Sequence, residues 1–160
     1  MDNLRTECAR LADQIRRAFD GKAWHGDSLT EIFKGVSGKT AASHPIKDAH
    51  SIWELVLHIA AWDNAVLRRT GGSAVTLTDD ENFPPVSGTS EAAWRETVES
   101  VKQTHSALVS AVADFPDSRL HEQVPGKKES YYNFFYMFSG IVQHELYHAG
   151  QIALLKKAAR

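Results

Sequence analysis

The chain has one cysteine, no long apolar run, no cluster of like charges and no sustained strand-like alternation, and each lack removes a class of protein. A lone Cys8 cannot build an internal disulfide framework and fits a reducing compartment. It falls in line with Leu4, Leu11, Ile15 and Phe19, the apolar stripe of a first helix, so a buried structural thiol is expected rather than a reactive one. The opening residues MDNLRTECARLADQIRRAF are amphipathic with charges throughout, which gives no signal peptide or membrane anchor. There are 18 basic and 20 acidic residues, a formal net charge of -2, and Lys and Arg never run beyond a pair. Neither a nucleic-acid partner nor a membrane is expected, and the chain reads as cytoplasmic.

What is present is helical periodicity. Four long segments carry it: about 3–20, stopped by Gly21; 51–70, capped by Ser51 and ended by Gly71 and Gly72; from Ser90 to Pro116; and from near Ser130 to the end. The connection WHGDSLTEIFKGVSGKTAASHPIKDAH is broken by glycines and Pro45 and has room for two short helical turns. LTDDENFPPVSG is acidic and proline-containing, the composition of a surface loop. A chain of 160 residues matches one domain, here 1–160, and the expected fold class is all-α, a four-helix bundle with its sites on facing helices.

The last helix carries HELYHAGQI at residues 144–152. His144 and His148, four apart, share one face with Cβ atoms roughly 6 Å apart and can reach one ion, which makes half a tetrahedral site. The plain alternative is two core histidines, each bonded to a carbonyl or a carboxylate. The first five letters also fit H-E-x-x-H, in which Glu145 would be the general base of a zinc peptidase. The residues after His148, AGQIALLKKAAR, contain no His, Asp, Glu or Cys, so a third protein ligand must come from upstream. That departs from the zincin order, and a peptidase is not expected.

The upstream histidines are His25, His44, His50, His58, His105 and His121. His58 stands out because it lies mid-helix among apolar neighbours, on a narrow strip with Glu54, Ala61 and Ala65. Such a strip is either a solvent face or the wall of a polar pocket whose alanines leave room for a ligand, and periodicity alone favours solvent.

The stretches LADQIRRAFDGKAWHGDSL, AHSIWELVLHIAAWDNAVLRR, FPPVSGTSEAAW and VPGKKESYYNFFYMFSGIVQHELYHAGQIALLKK, in this order, resemble the DinB/YfiT-like superfamily of metal-dependent enzymes. QHELYHAGQI is the most specific part of the likeness. The resemblance implies a four-helix bundle in which one histidine of the second helix and an H-x-x-x-H pair of the last hold a divalent metal. Those positions fall here on His58, His144 and His148, which turns the His58 strip into a pocket wall and makes the H-E-x-x-H match incidental.

Three imidazoles leave an open coordination position, as in catalytic rather than structural sites. Neutral imidazoles suit zinc, nickel, iron(II) or copper, and one zinc or nickel ion per chain is expected. Some relatives take low-molecular-weight thiols as co-substrates, so the resemblance implies a hydrolase or a thiol-dependent S-transferase acting on a small-molecule substrate. The alternative is a bundle whose metal is structural or only binds a ligand. Further pocket candidates are Trp24 and His25 at the bundle end, Glu54 as a partner orienting an imidazole, and Gln151 on the histidine stripe. Glu145 is carried as a candidate base, or else as a solvated carboxylate or outer partner. Tyr131, Tyr132 and Tyr147 read as core aromatics with wet hydroxyls. Trp62 and Trp94 read as exposed, and a homodimer through a helix face is expected.

Overall fold

Side-chain caps set where the helices begin in the computed structural model, which describes residues 6–159. Leu4 and the expected helix start at Asn3 lie outside those residues. Helix α1 (Glu7–Phe19) opens on Thr6, and two short helices follow, α2 (Leu29–Phe33) and α3 (Gly38–Ala42), in the connection where two turns were expected. Helix α4 (Ile52–Thr70) opens on the Ser51–Glu54 capping box, α5 (Asp79–Asn82) on a second box from Thr78 to Glu81, and α6 (Glu91–Ala113) on Ser90. A 3-10 turn at Asp117–Arg119 precedes α7 (Phe134–Ala158). This last helix starts later than Ser130 because residues 130–133 fold back on 122–124: Val124 N donates to Tyr132 O and Phe134 N to Glu122 O. Asn133 is thereby left to cap it.

The long helices α1, α4, α6 and α7 form the bundle. Each of α4 and α1 packs on both α6 and α7, so α4 and α1 face each other across a diagonal. Trp53 of α4 bonds Thr97 of α6 through its indole N–H, and Asp117 beyond the end of α6 accepts from the backbone N–H of Cys8 at the start of α1. Hence α4 and α6 run one way and α1 runs the other. All-α architecture agrees with the reading from periodicity.

Burial is divided in two. One apolar cluster gathers Phe19, Phe33, Trp53, Ile59, Trp94 and Ile152; the other gathers Cys8, Ile15, Val66, Leu108, Phe138 and Ile141. Trp94 therefore belongs to the core, with its indole N–H donated to Val36 O at 2.9 Å, and is not the exposed group expected from sequence. Cys8 is fully buried as expected, and burial pushes its thiol up to about 12, which makes it inert as a nucleophile. On α4, α6 and α7 the residues between the clusters are polar: His58 and Asp63, His105, and His144, Glu145 and His148.

The short α3 is held tightly against the start of α6. Gly38 N donates to the Glu91 carboxylate at 2.6 Å, and a Cβ placed on Gly38 would lie 2.9 Å from the Ser90 carbonyl oxygen. Backbone cannot yield there as a flexible side chain would. Gly38→Ala should therefore destabilise the fold by about 1–3 kcal/mol, the usual cost of overpacking. Urea unfolding checks this, with an unchanged midpoint as the contrary result.

Candidate metal centre

Along α4 only Asn64 and Arg68 are exposed, so a polar residue elsewhere on it faces neighbouring elements rather than open solvent. His58 is buried, and its Nδ1 donates to the carbonyl of Asn82 at 2.7 Å. That bond fixes the tautomer and leaves Nε2 with a free lone pair. Phe83 stacks on the ring with centroids 4.1 Å apart, and Trp62 secures the same loop by donating from its indole to the Asn82 side chain at 2.8 Å.

On α7, His144 Nε2 lies 3.0 Å from His58 Nε2. One turn later His148 Nδ1 donates to Gln151 Oε1 at 2.6 Å, which frees its other nitrogen as the Asn82 bond does for His58. One ring nitrogen from each of the three falls within 4.8 Å of the others. Burial, together with the neighbouring imidazoles, lowers all three from the ordinary histidine value, His144 to about 3. Three neutral imidazoles converge, with lone pairs available at neutral pH.

A separation of 3.0 Å suits two nitrogens that share one ion at the usual metal–nitrogen distance of about 2.0–2.1 Å. The donor set is all imidazole, which suits borderline ions such as zinc or nickel. The residues present therefore fit a divalent ion.

A family model described as the DinB superfamily matches residues 23–152, which takes in α4 and the whole HELYHAGQI motif. The chain belongs to the DinB superfamily. No curated protein and no solved structure matches the chain. Within this DinB-superfamily domain, α1 lies ahead of the matched span yet completes the bundle.

The other sequence candidates are placed unevenly. Gln151 touches His148 directly. Glu54 does not orient His58; it closes the Ser51 capping box and lies 3.2 Å from His44 and 3.4 Å from His50, so an Asn82 carbonyl does the orienting instead. Trp24 and His25 are exposed and line a groove with Gln14, Arg17, Val142 and Leu146, apart from the three histidines. The strip with His58 is not a solvent face, since His58 and Ala65 are both buried. Tyr131 and Tyr147 are exposed rather than core, while Tyr132 is half-buried.

Asn82 and Phe83 were missed from sequence because their acidic, proline-containing stretch looked like a plain surface loop. The readable signal was Thr78 followed three residues later by Glu81, the capping-box pattern that starts α5 and sets Asn82 over His58. Beside His144 a cavity of about 220 Å³ opens, lined by Trp62, Tyr132, Tyr136, Met137 and Gly140.

Glu145 corrects the reading of H-E-x-x-H. Adjacent helical residues point about 100° apart, so Glu145 leaves the histidine face and enters the bundle. It is fully buried against His105 and Asp63, neither solvated nor turned toward the three histidines as a base would be. His105 Nδ1 lies 3.1 Å from both carboxylates, and its N–H is directed at Asp63 Oδ2. Burial raises Asp63 and, to about 8, Glu145. For His105 burial acts downward, but the two carboxylates overcome it and hold the ring at about 9.

These directions fix the alkaline behaviour of metal-stripped protein. His105 and Glu145 hold protons in the folded state that the unfolded chain releases from 6.5 and 4.5 respectively, so their stabilisation is lost as pH rises through about 9 and about 8. The three lowered histidines act oppositely, but only below their unfolded value of 6.5. Thermal stability of stripped protein should fall from pH 6.5 to 9, and Glu145→Gln should flatten the part below pH 8. A melting temperature that rises over this range contradicts the assignment.

Proposed function

We propose that this DinB-superfamily protein is a metal-dependent enzyme in which His58, His144 and His148 hold one zinc or nickel ion and a small-molecule substrate occupies the cavity beside His144. The observation that carries the reading is the convergence of three neutral imidazoles next to that cavity, with no fourth protein ligand in the group among the described residues. A divalent ion held by three histidines with an open position supplies Lewis-acid activation of a water or a thiol. The chain's own residues do the rest. Asn82 and Gln151 hold two imidazoles in orientation, Phe83 and Trp62 cover the site, and Tyr132 and Tyr136 shape the substrate wall.

Between hydrolysis and thiol transfer, the arrangement favours the thiol. Water on such an ion would be only partly ionised at neutral pH and would gain from a general base, and the two carboxylates nearest the histidines in sequence, Glu54 and Glu145, are both committed elsewhere. A thiol coordinating such an ion would ionise without such help. The favoured reading is therefore an S-transferase with a low-molecular-weight thiol co-substrate. A hydrolase remains the second reading, since the same open position accepts water.

His58→Ala, His144→Ala and His148→Ala should each lower metal content by about one equivalent per chain relative to wild type, because two imidazoles hold an ion poorly. Elemental analysis after dialysis checks it, and equal content in all four proteins removes the proposal. In cobalt-substituted protein, millimolar cysteine should add a thiolate-to-cobalt band in the near ultraviolet. A response to azide but not to any thiol would favour the hydrolase.

A homodimer is also proposed, on a different ground from the one first expected, because Trp94 is core. Tyr136, Tyr147 and Leu154 share one exposed face of α7, and Glu145, buried, is the only charged residue between Phe134 and Leu155. An uncharged aromatic stripe of this kind suits a two-fold contact with a second copy. Sedimentation equilibrium should give twice the chain mass at tens of micromolar, and a 17.8 kDa species alone removes the dimer.

A further inference from the structure

Behind the three histidines lies a second polar group that the proposed chemistry does not use. Asp63 on α4, His105 on α6 and Glu145 on α7 are all buried, with Asp63 and Glu145 fully enclosed, and one ligand atom from each lies within 4.8 Å of the others. The valences do not balance. Two carboxyl groups offer four oxygens, and besides a proton the pair can share, the donor within reach is the Nδ1–H of His105, directed at Asp63 Oδ2. Asp63 Oδ1 and both oxygens of Glu145 are buried with no hydrogen-bond partner. Enclosed carboxylate oxygens without partners are costly, and a cation is the occupant that relieves them.

We propose that Asp63, His105 and Glu145 form a second divalent-cation site, separate from the three-histidine centre and different from it in donor type. A proton bridging the two carboxyls would satisfy two of the three orphaned oxygens. A divalent ion can take all three, with Nδ1 of His105 as a further ligand once the ring proton is carried on Nε2 instead of Nδ1. The separations of 3.1 Å from His105 Nδ1 to each carboxylate suit ligands gathered round one ion at about 2.0–2.2 Å. Two carboxylates with one imidazole favour a harder ion than three imidazoles do, so manganese(II) or iron(II) belongs here and zinc or nickel at His58, His144 and His148. His105 lines a groove of about 650 Å³ between α1, α2 and α6, along with Phe19, Thr30, Lys34, Lys102 and Ser106. The site joins α4, α6 and α7 at mid-bundle, so an ion there would brace the helices that carry all three histidines.

Manganese(II) itself is the probe. Added to chelator-stripped full-length protein, bound manganese loses the six-line electron paramagnetic resonance signal of the free ion and is counted by that loss. In His144→Ala protein, where the three-histidine centre is dismantled, about one equivalent should still bind and should raise the melting temperature. Adding Glu145→Gln or, separately, Asp63→Asn to that background should weaken binding by more than the roughly tenfold to hundredfold that loss of an outer partner costs. Both replacements keep the side-chain shape and remove buried charge, and circular dichroism checks the fold. His144→Ala protein that binds no manganese overturns the proposal, as does binding that survives both replacements. In either case the cluster is satisfied by protons, and the three-histidine reading stands or falls on its own metal count.

Discussion

Six ionisable side chains sit in one layer of the bundle, His58, Asp63, His105, His144, Glu145 and His148, all but His144 buried and with apolar clusters on either side. The cost of desolvating them is the constraint to which the neighbouring contacts answer. It draws the Asn82 carbonyl onto His58 and the Gln151 amide onto His148, and it keeps the three imidazoles neutral. On the far side of α7 it leaves two carboxylates dependent on His105 and on whatever cation joins them. One helix thus serves two chemistries, because His144 and Glu145 differ by about 100° in direction.

The loop from Thr78 to Phe83 matters more than its length suggests. Its first turn is set by a local capping box, and that turn delivers a backbone carbonyl and an aromatic face to the metal candidate. An orienting partner supplied by backbone leaves no titratable group to compete for the ion, whereas a glutamate in that place would add charge. Glu54 is instead consumed in starting α4. The same economy holds on α7, where a neutral amide orients His148.

Much of this was legible in the sequence. Hydrophobic period, with caps at Ser51 and Ser90, gave the four long helices; α1 opens on Thr6, later than about Asn3, and α7 starts later than Ser130 because hydrogen bonds between residues distant from any period pin 130–133 to 122–124. His144 and His148 were legible from spacing, but His58 was not separable from a solvent face until the family likeness was added, since periodicity reports only that a strip is polar. Glu145 was the least legible residue. Motif spacing fixes its direction from the helix axis but not what waits there, and Asp63 and His105 are 82 and 40 residues away in sequence. Trp94 misled for a related reason: its partner, the Val36 carbonyl, lies in an irregular connection that no period describes.

The central claim is that the three histidines hold an ion at their shared nitrogens, and anomalous scattering tests it most directly. Crystals of protein purified without a histidine tag or chelator, measured on both sides of the zinc and nickel absorption edges, should show an anomalous peak bounded by Nε2 of His58, His144 and His148. Zinc- or nickel-loaded protein whose anomalous peaks all lie elsewhere, with those three nitrogens hydrogen-bonded among themselves, would contradict the account.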